Sequence, residues 1–176
     1  MGHINITGKN RDMVHVGCDL YAPSRVVLTL TAMEDMTADV RAVMVLEGRR
    51  YVVQELCITR RDGGAPITSE LIRGVAVQGL IRGTVSDALE LRVPQLSPEG
   101  TTTHTVSLVV LTQEERDRMV EAGPTDETLL WVARIYVMAE LVGDPPAKHV
   151  RDSFGVPTST AGYWIRRAKD RKILDG

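Results

Sequence analysis

The chain is poor in aromatic residues, with one Phe, two Trp and four Tyr in 176 positions. So few rings speak against a surface that stacks the bases of single-stranded nucleic acid, and they assign Tyr51, Trp131 and Tyr136 to the core. Cysteine is nearly absent as well. Cys18 and Cys57 stand far apart in apolar, strand-like settings, which argues against a disulfide framework or a zinc site and predicts two buried free thiols. Neither sign of charge dominates: 21 Lys and Arg face 23 Asp and Glu, a net charge of −2. Such a chain is no polycation of the packaging type, and affinity for nucleic acid would have to come from a local patch that salt screens. No apolar run is long enough to span a bilayer, and no signal or transit peptide is apparent. These absences predict a cytoplasmic protein.

Recognisable catalytic chemistry is also missing. His3, His15, His104 and His149 have no acidic or cysteine partner at a familiar spacing. The GKNR stretch near the start lacks the preceding glycine pattern of a phosphate loop, and Gly79-Leu80-Ile81-Arg82-Gly83 reads as a helix face. Glu34-Asp35 and Glu114-Glu115 are adjacent carboxylates on solvated segments. The expectation is no enzyme, no metal and no cofactor.

Core material is ample, with 43% hydrophobic residues, enough for one domain or two small ones. Met1 to Asp12 lacks a sustained period and reads as a ragged start. Apolar residues alternate over Met13–Cys18, and Arg25–Thr31 is β-branched, so both predict strands. Arg41–Leu46 and Tyr51–Thr59 predict a β-hairpin across Glu47-Gly48-Arg49-Arg50, with one buried face. Arg60 to Gly64 predicts a turn, either a plain solvated one or a basic loop able to touch phosphate. Two helical stretches come next, Glu70–Arg73 and Val75–Leu91. The second carries Val77, Leu80, Ile81, Val85, Ala88 and Leu89 on one stripe, with Gly79 and Gly83 weakening it or admitting another backbone. Pro94, Ser97, Pro98 and Gly100 mark a loop or a disordered segment before a strand over Thr101–Leu111.

From there the pattern is helical. Thr112 and Glu115 form a capping box for a short charged helix that ends at Gly123-Pro124. Thr125 caps a long, largely apolar helix that ends at Gly143 and is predicted to support the last two helices. Asp144 is placed to cap a third helix, with Pro145 and Pro146 in its first turn. Gly155 supplies the left-handed residue of a sharp turn, and Thr158 or Ser159 is placed to cap a fourth helix. Val150, Phe154, Val156, Ala161 and Trp164 are spaced to close a small core between the last two helices. From Asp144 onward there are seven Lys and Arg against four Asp, whereas the preceding part holds fourteen against nineteen.

The segment VRDSFGVPTSTAGYWIRRA resembles the helix-turn-helix of bacterial and phage transcription regulators, especially the small ones of actinobacteria and their phages. The features in common are Val150, the Phe154-Gly155-Val156 turn, Ala161, the Trp164-Ile165 pair and the Arg166-Arg167-Ala168-Lys169 tail. The resemblance spans about thirty residues, Asp144 to Leu174. Arg151 departs from it, standing where such motifs usually place alanine. Its stem can lie along the helix contact with the charge outward, or the pair crosses at another angle.

The patterning along the chain predicts an α+β protein: an N-terminal β-sheet domain with packed helices over residues 1–123, then an all-α domain over residues 124–176 that the resemblance makes a helix-turn-helix domain. The resemblance implies double-stranded DNA as partner and transcription regulation as function. Thr158, Ser159, Gly162, Tyr163 and Arg166 would read bases, and Lys148, Arg167, Lys169 and Arg171 would hold phosphates. Regulators of this size double their base contacts by two-fold pairing, which predicts a homodimer joined through residues before Gly123. Two other readings stay open. One is a phage or mobile-element interaction protein whose helical corner holds a protein partner. The other is an unfamiliar enzyme in the N-terminal part, with the corner as its targeting module.

Overall fold

Short alternating runs punctuated by glycine and proline build the first half of the chain as strands, and longer runs with helical spacing build the second. A computed structural model describes residues 3–8, 11–33, 36–97, 100–107 and 111–174. In chain order these form β1 (His3–Thr7), β2 (Met13–Gly17), β3 (Leu20–Pro23), β4 (Arg25–Thr31), β5 (Ala38–Glu47), β6 (Arg50–Arg60), α1 (Ser69–Gly74) and α2 (Val77–Ala88). Then come β7 (Glu90–Ser97), β8 (Gly100–Ser107), α3 (Gln113–Ala122), α4 (Asp126–Val142), α5 (Pro146–Phe154) and α6 (Thr158–Asp170). The fold is mixed α+β. The chain divides into two compact units, one of residues 1–14 and 23–88, the other of residues 15–22 and 89–176. The expected boundary at Gly123-Pro124 falls inside the second unit.

The first unit is an antiparallel sheet of order β1-β4-β5-β6, with α2 packed against β4 and β6. Strict alternation buries Val26, Leu28 and Leu30 of β4, while β5 buries Ala38, Val40, Ala42 and Met44. A register shift at Val43/Met44 turns Val43 inward too. Helix α2 contributes Ile81, Val85 and Ala88 to the same core. Tyr51 is buried and donates its hydroxyl to the Pro23 carbonyl, and burial pushes its phenol well above the ordinary value.

Several expectations are corrected by this sheet. The opening residues are not ragged: His3–Thr7 pairs with β4, from His3↔Thr31 to Thr7↔Val27. The buried face expected of the second hairpin strand is limited to its start. Gln54 to Cys57 are all exposed on the outer strand β6, and Cys57 lies opposite Arg41, on the face away from the buried Val40 and Ala42. Cys57 is therefore exposed, not buried. The basic turn after β6 is tied to its own unit. Arg61 Nε donates to Asp39 at 2.7 Å and Arg60 Nε to the Gly64 carbonyl at 2.8 Å. The Arg61 hydrogen bond, helped by the Ala32 amide, holds the Asp39 carboxyl below its usual range. At Gly83 an added Cβ would meet nothing within 4 Å, so that glycine admits no neighbouring backbone.

The second unit joins a small sheet to four helices. Its sheet runs β2-β3-β7-β8. Helix α2 stops at Ala88, and the residues expected to prolong it instead open β7, where Leu91 pairs with Leu20 and Glu90 with Tyr21. The stretch expected to be a loop is a hairpin, registered from Glu90↔Ser107 to Ser97↔Gly100. Pro94 is tolerated because β3 pairs with β7 only at Glu90 and Leu91, leaving that side of β7 an open edge further along. The strand expected to reach Leu111 ends at Ser107, and Leu108 to Val110 lie outside the described residues. Cys18 is not in a strand either. Cys18 and Asp19 have φ of 53° and 63°, the paired left-handed residues of a type I′ hairpin turn.

Candidate nucleic-acid interface

The helical part is built around α4. Thr125 caps it by accepting from the Thr128 amide at 3.2 Å, with Asp126 and Glu127 in its first turn. At its far end Gly143 adopts φ 73°, and the Gly143 and Asp144 amides donate back to Glu140 and Ala139 at 3.0 and 2.9 Å. This is the Schellman closure that glycine makes easy. Leu129, Val132, Ala133, Val137 and Leu141 are buried, so α4 is apolar around much of its girth, as its sequence predicts.

One charge interrupts that apolar surface. Arg134 is 6% exposed; its Nε donates to the Cys18 carbonyl at 3.1 Å and its Nη2 to Asp19 at 3.0 Å. It thereby holds the tip of the β2–β3 turn, and its guanidinium also lies 5.2 Å from the Trp131 ring centroid. Nothing in the sequence pairs Arg134 with a turn over a hundred residues away. The one available signal is a lone arginine in an apolar helix.

Helices α5 and α6 pack on α4 and on each other. Val150, Phe154, Val156, Ala161, Trp164, Ile165 and Ala168 are all buried, and Phe154 meets Trp164 edge to face with ring centroids 5.3 Å apart. Gly155 turns the chain with φ 66° and ψ 26°, and the Val156 amide returns to the Arg151 carbonyl at 3.2 Å. Past α6 the tail folds back. The Ile173 and Leu174 amides both donate to the Ala168 carbonyl, and Leu174 is 1% exposed. Arg151 is half-buried and pairs its guanidinium with the neighbouring Asp152.

The two expected caps of these helices are absent. Pro145 occupies the position before α5 and Pro157 the position before α6, and neither helix has a side-chain cap. Asp144 is held instead by the Schellman closure of α4, and its carboxylate sits 3.7 Å from His149 Nδ1. Thr158 and Ser159 are already inside α6, because Pro157 at φ −59° and ψ 152° starts the helix one residue earlier. Neither α5 nor α6 has an acidic residue in its first turn.

The residues expected to read bases come together. Thr158, Ser159, Gly162, Tyr163 and Arg166 are all exposed, and their spacing forms one stripe opposite the buried Ala161, Trp164 and Ala168. Those expected to hold phosphate do not behave as a set. Lys148 is exposed on the first turn of α5, whereas Arg167 is half-buried, and its Nε is shut from water with no hydrogen-bond partner among the described residues. The Lys169 ammonium lies 5.4 Å from the Tyr136 ring centroid, and Arg171 pairs with Asp126. Lys172, exposed with φ 55°, is a further cation at this end.

Among the described residues no cluster of His, Cys, Asp and Glu is arranged to hold a metal ion. No helix there is long and apolar enough to cross a membrane. No protein-family model, curated protein or solved structure matches the chain.

Proposed function

We propose that this protein binds double-stranded DNA sequence-specifically through α5 and α6 and acts as a transcriptional regulator. One observation carries the reading: both helices of the corner begin without a side-chain cap and without an acidic first turn. A helix start presents unpaired N–H groups and the positive end of the helix dipole. With no side-chain cap on either N-cap proline and Lys148 on the first turn of α5, these ends suit phosphate oxygens. Between them the exposed stripe of α6 offers hydroxyls, a phenol and the Arg166 fork to base edges. A homodimer joined through residues before Gly123 would double those contacts; the exposed stretch Gln54–Cys57 of the outer strand β6 is the surface we assign to it.

Selection of bound sequences from a random duplex pool tests the reading and reports half-site spacing. A recovered motif, with affinity falling steeply as salt rises, is the expected result. Arg166→Ala should relax the preference at one position by about 1–3 kcal/mol. Failure to enrich any duplex, or affinity insensitive to salt, would overturn DNA binding and favour a protein partner at the corner.

A further inference from the structure

A second site lies in the helical unit, in a cleft between α3, α4 and α5 of about 210 Å3. At roughly 30 Å3 per water, it holds the equivalent of about seven waters, or one substituted ring. Each helix contributes one face. Trp131, Ile135 and Met138 line it from α4 at helical spacing, Arg116 from α3, and His149 and Ser153 from successive turns of α5. The apolar wall is braced from behind, because Arg134 lies against the Trp131 ring and is itself anchored to Cys18 and Asp19. Trp131 thus faces the cleft as a fixed plane.

The polar side of the cleft is cationic, with Arg116 on its α3 wall. A guanidinium presents several N–H donors, and its hydrogen bonds to a carboxylate are charge-assisted and among the stronger ones. His149 also lines the cleft, with Nδ1 turned to Asp144 at 3.7 Å, and Ser153 adds a hydroxyl. One cation, one imidazole and one hydroxyl beside an indole wall match a flat apolar body with a single anionic group.

We propose that this cleft binds a small aromatic carboxylate, its ring against Trp131 and Ile135 and its carboxylate on Arg116. The site does not depend on the DNA reading and is tested without DNA. Benzoate and its neutral counterpart benzamide are titrated into the full-length protein while the Trp131 indole and Arg116 Nε–H signals are followed by NMR. Benzoate should shift both saturably, and benzamide should bind about ten-fold more weakly. Arg116→Met, which keeps the stem, should weaken benzoate about ten-fold and leave benzamide unchanged. Equal binding of the two probes, non-saturating shifts, or an Arg116→Met protein that binds benzoate like the parent would each overturn the proposal. Should that variant fail to fold, the comparison of the two probes on the parent protein still decides it.

Discussion

Helices α3 and α4 start one way, and α5 and α6 start another. The first pair is closed at its positive ends. Thr112 and Glu115 form a reciprocal box, Thr125 caps α4, and both first turns carry two acids. The second pair starts bare behind Pro145 and Pro157. Helix-end groups must be satisfied by something. In α3 and α4 the cap residue's own side chain supplies part of it, whereas the prolines that precede α5 and α6 have no side-chain acceptor to offer. What fixes the corner is its core, Phe154 against Trp164 over Val150 and Ala161, rather than its ends.

The two kinds of helix start make distinct demands on mutants. Trp164→Ala should have the largest effect, about 3–5 kcal/mol by urea unfolding, because it empties the contact that orders the corner. A loss below about 1 kcal/mol would mean that the ends, not the core, hold α6. Next, Thr125→Ala should cost about 1 kcal/mol, whereas Ser159→Ala, inside an uncapped first turn, should stay within about 0.5 kcal/mol. Equal costs would erase the distinction between the two pairs.

Supplying the missing acid separates the pairs further. Thr158→Asp should stabilise α6 by about 0.3–1 kcal/mol through the helix dipole. The same change should weaken DNA by about ten-fold or more, since it sets a carboxylate where phosphate is proposed to sit. A variant that gains stability and keeps its DNA affinity would remove the helix start from the interface.

The smallest effect belongs to Glu115. Its carboxyl is held below the ordinary 4.5, first by the Thr112 amide and then by the Thr112 hydroxyl. For an acid with a depressed folded value, the stabilisation is complete above the unfolded value and is lost as pH falls through the folded one. The stability difference between the parent and Glu115→Gln should therefore be flat from neutral pH down to about 4.5 and shrink below it. A difference independent of pH would show that the carboxylate's charge is not what the box uses.

The features legible in the sequence are those whose partners are close in the chain. The Thr112–Glu115 box, the Thr125 cap, the Gly143 and Gly155 turns and the core of α5 and α6 all form between residues a few positions apart, and periodicity exposes them. The exposed stripe from Thr158 to Arg166 is legible for the same reason, since a buried face fixes its opposite. Whatever depends on strand order or on distant pairing is settled only by packing in three dimensions. His3–Thr7 becomes a strand only because β4 lies beside it. Cys57 is exposed because it lies opposite Arg41, on the face of the sheet away from the buried Val40 and Ala42, and strand pairing decides which face is covered. Pro94 sits in a strand because β3 stops pairing before reaching it. Arg134 is buried because a turn over a hundred residues earlier offers it a carbonyl and a carboxylate. Burial and hydrogen-bond satisfaction act through space, and only where the chain returns quickly to itself does sequence distance stand in for it.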